Sequence, residues 1–274
     1  PSGAKSTTNP FGFDDKVAFE KYGAGKDVHT WRADNVNLMV AEVSRVIKAN
    51  KPGVLFGISP SGRRENSIDL YADPFVWLDN KWVDYLAPQI YWEFGHAVAD
   101  FGKQANFWND NARGVPMVVG IAAYKFKDSA YPAYGSVTEF DKEIEKVRKS
   151  TNLSGCFFFR MRFLENTELF TFLKTKYVWK SVLPVMGTLT APSVVAPVVS
   201  LSGKQLRWNS VSGAKKYVVY QLEKDTELKN IFNAHAVQIF TDQKFSGVSE
   251  KSYFVTALNE DQVESARSVV FTIK

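Results

Sequence analysis

The sequence predicts an α/β fold on a parallel sheet over its first two-thirds and an all-β, immunoglobulin-like sandwich over the rest. Three observations carry this. From residue 30, helix-period and strand-length segments alternate four times. The strand-length runs VLFGIS (54–59), YLAPQIY (85–91), MVVGIAA (117–123) and GCFFFR (155–160) are apolar almost throughout, as strands covered on both faces are. Beyond about Tyr177 the helical period disappears, and past Pro197 short alternating runs follow one another between turn residues.

Element by element, Thr30 is placed to cap a helix whose apolar positions Val36, Met39, Val40, Val43, Val46 and Ile47 recur at three and four residues. Asn50-Lys51-Pro52-Gly53 ends it. Asp73-Pro74 reads as an N-cap followed by proline at the first helical position, opening a short helix to about Asn80. Val98, Phe101, Ala105, Trp108 and Ala112 mark a further helix stopped by Gly114, and Ser136 with Glu139 forms a capping box ahead of Phe140, Ile144 and Val147. A last helix is expected from Asn166 to about Thr175. Four βα units make either half of a (β/α)8 barrel or a small open sheet, and the residues leave both open.

Between about Tyr177 and Pro197 the chain holds Pro184, Pro192 and Pro197 and no helical period, and reads as a connector followed by a first β-strand. Strands are then expected at LRW (206–208), KYVVYQL (216–222), AVQIF (236–240), SYFVTAL (252–258) and SVVFTI (268–273), a sandwich of about 85 residues. Trp208 and Tyr217 form the expected core pair, with Tyr253 as a tyrosine corner. The domain division is 1–178, a linker at 179–190, and 191–274.

Composition excludes several functions. Hydrophobic residues make up 45% of the 274, so the chain is globular, and the formal charge of +5 is spread evenly and gives no nucleic-acid footprint. The single cysteine, Cys156, sits in an apolar run and reads as a lone buried thiol; with only three histidines, cysteine-protease and zinc sites lack partners. No cofactor or metal is expected. No apolar run is long enough for a transmembrane segment. The N-terminus, PSGAKSTTNPFGF, has neither Met nor a signal-peptide pattern and is expected to belong to a fragment or processed product.

The segment Asp84–Glu93, DYLAPQIYWE, carries the most functional information. It is a core strand ending in hydrogen-bonding, aromatic and acidic side chains, and ligands of parallel α/β folds bind beyond the carboxyl ends of strands. Gln89, Tyr91 and Trp92 suit hydrogen bonding and stacking on a sugar ring. Alternation points Gln89 and Tyr91 to one side, with Trp92 joining them only if the strand has ended. Glycoside hydrolysis needs two carboxyl groups, and Glu93, partly desolvated by Tyr91 and Trp92, is the candidate catalytic acid. Asp84, at the opposite end, is expected to be structural. Ser59, Ser61 and Asn66 in SPSGRREN place small polar groups after the first strand; the Gly-x-Ser-x-Gly spacing of a hydrolase elbow fails there.

WRADNVN (31–37), FGISPSG (56–62), YADPFVWL (71–78) and WVDYLAPQIYW (82–92), in that order, resemble the bacterial glycosyl-hydrolase-like TIM barrels that include peptidoglycan-glycan hydrolases of the cell envelope. LRW, AKKYVVY and YFVTALN resemble a fibronectin type III domain. The resemblance implies the C-terminal half of a (β/α)8 TIM-like barrel, strands five to eight, ahead of that sandwich. It implies a glycoside hydrolase acting on a bacterial polysaccharide, such as peptide-free peptidoglycan glycan, in the cell envelope or secreted. The alternative is a non-catalytic carbohydrate-binding or scaffold protein. Arg32, Asn35, Tyr124 and Lys125 join the expected substrate-binding residues; Arg160 stands where the family pattern expects a small polar residue. The acidic motif of the fourth strand is absent, FGFDD (11–15) reading instead as the loop before WRADNVN, so an N-terminal half or self-association is expected to complete the barrel.

Overall fold

The computed structural model describes residues 12, 14–165, 167–183, 185–187, 191–224 and 232–274. They form two compact units, one ending at Thr167 and the other beginning at Glu168. Phe11, Phe13, Asn166 and Pro184, on which parts of the sequence reading fall, lie outside the described residues.

In the first unit, α1 (Lys16–Tyr22) and α2 (Val28–Asn50) precede a four-stranded parallel sheet. Its strands are β1 (Gly57–Ile58), β2 (Tyr85–Leu86), β3 (Met117–Ile121) and β4 (Leu153–Phe158), in the spatial order β1-β2-β3-β4. Between them lie α3 (Arg64–Ile68), α4 (Pro74–Asp79), α5 (Phe101–Asp110) and α6 (Thr138–Arg148). The four apolar runs thus fall where expected, but the ladders of β1 and β2 are two residues long. Their pairing continues as single bridges, Ser61 to Gln89 and Gln89 to Gly120.

Asp84 fastens the amino ends of these strands. Its carboxylate accepts from the Phe56 amide at 2.7 Å and from Lys48 Nζ at 2.6 Å, while its own amide donates to the Phe56 carbonyl at 2.7 Å. A carboxylate 8% exposed is tolerated because charge and backbone donors replace the lost water. One side chain therefore ties the last turn of α2 to β1 and β2, as its place at the far end of the strand suggested.

Several local expectations change. The cap of α2 is Asp27, whose carboxylate accepts from the His29 and Thr30 amides, each at 3.0 Å; Thr30 lies inside the helix and donates its hydroxyl to the same acid. An ionised acceptor outcompetes a hydroxyl for the exposed amides at a helix start. Asp73 does cap α4, accepting from the Phe75 amide at 3.0 Å with Pro74 next. Asp100 caps α5, leaving Val98 outside the helix and 65% exposed. The capping box before α6 does not form, because the Glu139 carboxylate is taken by the Phe94 amide at 2.6 Å. Cys156 is half-buried.

The sheet is not covered throughout. β3 is wholly buried, whereas Phe157 and Phe159 are 49% and 50% exposed. Gly57 and Gly120 leave room for Tyr85 and Tyr91 on this face, where Tyr85 meets Phe157 edge-on at 6.1 Å and Tyr91 stacks on Phe159 at 5.9 Å.

The second unit begins with α7 (Glu168–Lys176) and contains β5 (Val199–Ser202), β6 (Gln205–Trp208), β7 (Lys216–Lys224), β8 (Phe232–Phe240), β9 (Lys244–Ser246), β10 (Ser252–Leu258) and β11 (Phe271–Thr272). One antiparallel sheet runs β11-β10-β7-β8 and the other β5-β6-β9, around Leu206, Trp208, Tyr217, Val219, Tyr253, Val255 and Ile273. Trp208 and Tyr217 pack edge to face at 5.6 Å. The Tyr253 hydroxyl accepts from the Val248 amide at 3.1 Å, the backward tether of a tyrosine corner. Strand β9 escapes the sequence reading because it is short and partly exposed, β5 lies just past the first strand expected before Pro197, and SVVFTI forms regular ladder only at Phe271–Thr272.

Replacing Asp84 with alanine strands the Phe56 amide and a half-buried ammonium. The substitution is expected to lower the unfolding free energy of the first unit by about 2–4 kcal/mol in urea titrations. An unchanged midpoint would show that Asp84 does not fasten the strands.

Candidate functional site

Beyond the carboxyl ends of β1, β2 and β3 lies a cleft of about 870 Å³. Ser59, Pro60 and Ser61 enter it from β1, Gln89, Tyr91, Trp92 and Glu93 from β2, and Tyr124 and Lys125 from the 3-10 turn after β3; Asn66 lies on its wall.

The strand ends meet because two glycines allow it. A Cβ on Gly62 would lie 2.3 Å from the Gln89 carbonyl oxygen, and one on Gly120 would lie 3.1 Å from that of Pro88. The Gln89 amide donates to the Pro60 carbonyl at 3.0 Å and the Gly120 amide to that of Pro88 at 2.8 Å. Side chains reinforce the junction: Gln89 Nε2 donates to the Ser59 carbonyl at 2.9 Å, Ser59 Oγ to that of Ala87 at 2.7 Å, and Trp108 Nε1 to that of Gly62 at 2.8 Å. Ser61 donates its amide to Ser67 Oγ at 3.1 Å. The turn after β1 is thus built by contacts that also orient cleft residues.

Past Gln89 the chain turns tightly, the Tyr91 amide reaching back to the Gln89 carbonyl at 3.0 Å. Alternation therefore stops, which is the condition under which Trp92 joins Gln89 and Tyr91. The Glu93 carbonyl accepts from the Phe101 amide at 3.2 Å, tying this turn to the start of α5.

One wall is aromatic. Tyr91 and Tyr124 meet edge to face at 6.0 Å, Tyr124 and Tyr131 at 6.2 Å, and Trp92 lies 6.2 Å from His96. Burial holds the Tyr91 and Tyr124 hydroxyls above the ordinary phenol range, each helped by a neighbouring tyrosine, so both remain protonated donors at neutral pH. Polar edges on apolar faces give sugar rings both stacking and hydrogen bonds.

Lys125 is 5% exposed. Its Nζ donates to the Tyr91 carbonyl at 2.5 Å and lies 4.3 Å from the Tyr131 ring centroid. Burial depresses its basicity, while Glu93 and Glu143 act to restore it. Glu143, on α6 and fully buried, accepts from the Tyr134 hydroxyl at 2.9 Å, and burial raises it well above the usual carboxyl range.

Arg32 and Asn35 do not line the cleft. Arg32 is 7% exposed and grips Asp15 with Nε at 2.6 Å from Oδ2 and Nη2 at 2.7 Å from Oδ1, and its Nη1 donates to the Tyr71 hydroxyl at 2.8 Å. The FGFDD acid is therefore the anchor of a loop and short helix, as its glycine-rich context implied. Asn35 is exposed on α2.

The sequence reading missed His96, Tyr131, Leu70 and Trp77 on the cleft wall. The phenols of YPAY offer a stacking surface visible in the residues, whereas Leu70 and Trp77 are apolar and carry no polar signal of a site. Among the described residues, no group of three or more His, Cys, Asp and Glu side chains converges to hold a metal ion, and no helix is long and apolar enough to cross a membrane.

Residues 6–133 match the family described as glycosyl hydrolase-like 10. The chain is 28% identical to glycosyl hydrolase YngK of Bacillus subtilis, over 93% of this chain and 58% of that protein. It is 30% identical to glycosyl hydrolase DigH of Escherichia coli K12, over 56% of this chain and 40% of that protein. The chain thus spans about half the length of these curated relatives. A fibronectin-III-like protein of Clostridium thermocellum overlays 30% of the chain at 24% identity and a TM-score of 0.19, covering 90% of that structure.

Two outcomes test this geometry. Gly62→Ala forces a methyl group against the backbone of Gln89 and is expected to destabilise the first unit by about 1–3 kcal/mol in urea unfolding, and parent stability would contradict the close approach. Hydrogen bonding from Arg32 holds Asp15 below the ordinary value of 3.8, against opposing burial. A lowered folded value means the contribution is present above 3.8 and lost as pH falls through the folded value. Asp15→Asn is expected to remove that part of the acid-induced stability loss, and identical acid profiles for parent and variant would contradict it.

Proposed function

We propose that the cleft binds a glycan and that Glu93 acts on a glycosidic bond there, a reading supported by the match of residues 6–133 to the glycosyl hydrolase-like 10 family. The observation that carries this reading is convergence: Glu93 and the sugar-compatible side chains Gln89, Tyr91, Trp92 and Tyr124, chosen from sequence, line one cleft beyond the carboxyl ends of parallel strands. Ser59, Ser61 and Asn66 supply short polar groups to the same cleft for substrate hydroxyls.

In this reading the substrate is a bacterial polysaccharide such as peptide-free peptidoglycan glycan, met in the cell envelope or after secretion. The reaction uses a carboxyl pair, one member protonating the leaving oxygen while the other attacks or activates water. Glu93 is the acidic side chain on the cleft wall; Glu139 and Glu143, at 4% and 0% exposed, lie too deep to touch a sugar. The second carboxyl then comes from barrel strands preceding β1. The sequential parallel order β1-β2-β3-β4, with no reversal point, supports a half-barrel over a doubly wound sheet. The exposed rings of Phe157 and Phe159 support its completion, by further strands or by self-association, since an apolar face of this kind needs cover. The domain division at 179–190 and the fibronectin type III assignment of the sandwich belong to the same proposal.

The experiment is glycan cleavage by the longer protein that carries the preceding strands, compared with its Glu93→Gln variant. Cleavage is expected to fall about 10²–10⁴-fold. A fully active variant would remove Glu93 from the mechanism, and an inert parent on every glycan tried would leave a binding module.

A further inference from the structure

Between β2 and α5 the chain loops out, and His96 stands in that loop with its half-buried ring on the cleft wall. Its amide donates to the Glu93 carbonyl at 3.3 Å, which ties it to the candidate acid. The ring is oriented by main chain: Nδ1 accepts from the Ala99 amide at 3.1 Å and, more weakly, from the Val98 amide at 3.4 Å. An Asp or Asn oxygen holds the amides two and three residues on in the same way, as Asp27 holds those of His29 and Thr30.

An amide N–H can only donate, so the ring nitrogen that receives it carries no hydrogen, and the imidazole hydrogen sits on Nε2. Nε2 has no partner among the described residues. Neither has Nε1 of Trp92, whose ring lies 6.2 Å from that of His96 on the same wall. Both groups are donors only. Sugar hydroxyls, like the Tyr91 and Tyr124 phenols, both give and accept, whereas a fixed N–H selects for an oxygen that accepts.

Two groups on a sugar offer such an oxygen, a carboxylate and an amide carbonyl. A carboxylate calls for a cation, and the basic side chain among the lining residues, Lys125, is 5% exposed and committed to the Tyr91 carbonyl at 2.5 Å. The neutral carbonyl is therefore favoured. Leu70, Trp77 and Ala130 give the same cleft apolar surface, which suits a methyl group. An acetamido substituent joins the two features.

We propose that His96 is a specificity-determining residue of the cleft, its fixed Nε2–H donating to the carbonyl oxygen of an acetamido group on the glycan. The proposal rests on the reading of the cleft as a glycan site.

Two-bond 15N–1H correlation of the histidine rings of the full chain, with His96→Asn assigning the signal, is expected to show Nδ1 bare and Nε2 protonated at neutral pH. The opposite tautomer would overturn the proposal. Binding of the N-acetylglucosamine tetramer is then compared by amide shift titration with that of cellotetraose, which carries a hydroxyl in place of each acetamido group. The parent is expected to favour the acetylated sugar. In His96→Asn the side-chain oxygen still reaches the Val98 and Ala99 amides but the distal N–H is gone. The variant is expected to bind the acetylated tetramer about three- to tenfold more weakly and cellotetraose as the parent does. Should His96→Asn fail to fold, His96→Asp, which holds the same amides, takes its place. Equal binding of the two sugars by the parent, an unaltered preference in the variant, or a loss shared by both sugars would overturn the proposal, the last by marking a structural role. A parent that binds neither sugar removes the glycan reading together with this one, whereas an unaltered preference in the variant removes this one alone.

Discussion

The close approach of three backbones at Gln89 is the constraint on which the cleft depends. Gln89 bridges Ser61 on one side and Gly120 on the other, and Gly62 and Gly120 are the residues whose missing side chains let the strands meet. A parallel sheet needs both flanks of a central strand occupied by paired backbone, because an unmet amide or carbonyl in the interior costs a hydrogen bond. Here the requirement is met at the carboxyl ends, where Pro60 and Pro88 carbonyls accept from Gln89 and Gly120. Everything a ligand would touch in the cleft hangs from that junction.

Asp84 does the complementary work at the other end of β2. The strand is thus fixed below by a buried carboxylate and above by a glycine-lined crossing, with two residues of regular ladder between. Rigidity at both ends suits a site whose reacting groups must hold their geometry without help from a long strand. Beyond the crossing, Lys125 and Glu139 continue the same logic with charge, gripping a carbonyl and an amide on either side of Glu93.

Much of this was legible in the residues. The apolar runs located all four parallel strands, and the end of DYLAPQIYWE lines the cleft, where a strand ending in polar and aromatic side chains was expected to bring them. Asp73-Pro74 announced its helix through chemistry confined to adjacent residues. What failed were features decided by distant partners. Thr30 lost the cap to Asp27; Ser136 and Glu139 lost their reciprocal box because the Phe94 amide, 45 residues away, claims the carboxylate. Arg32 looked like a site residue from its motif, but its partners Asp15 and Tyr71 lie 17 and 39 residues off and draw it inward. Strand β9 lacks an alternating pattern strong enough to stand out before its partner is known.

In the proposed function a glycan lies across the aromatic wall beside Glu93. The most direct measurement is amide shift mapping of the chain with a soluble, peptide-free oligosaccharide of N-acetylated amino sugars. Perturbations are expected to centre on Ser61, Gln89, Trp92, Glu93 and Tyr124, with β5–β11 unmoved. Perturbations confined to the sandwich, or none at saturating glycan, would contradict it.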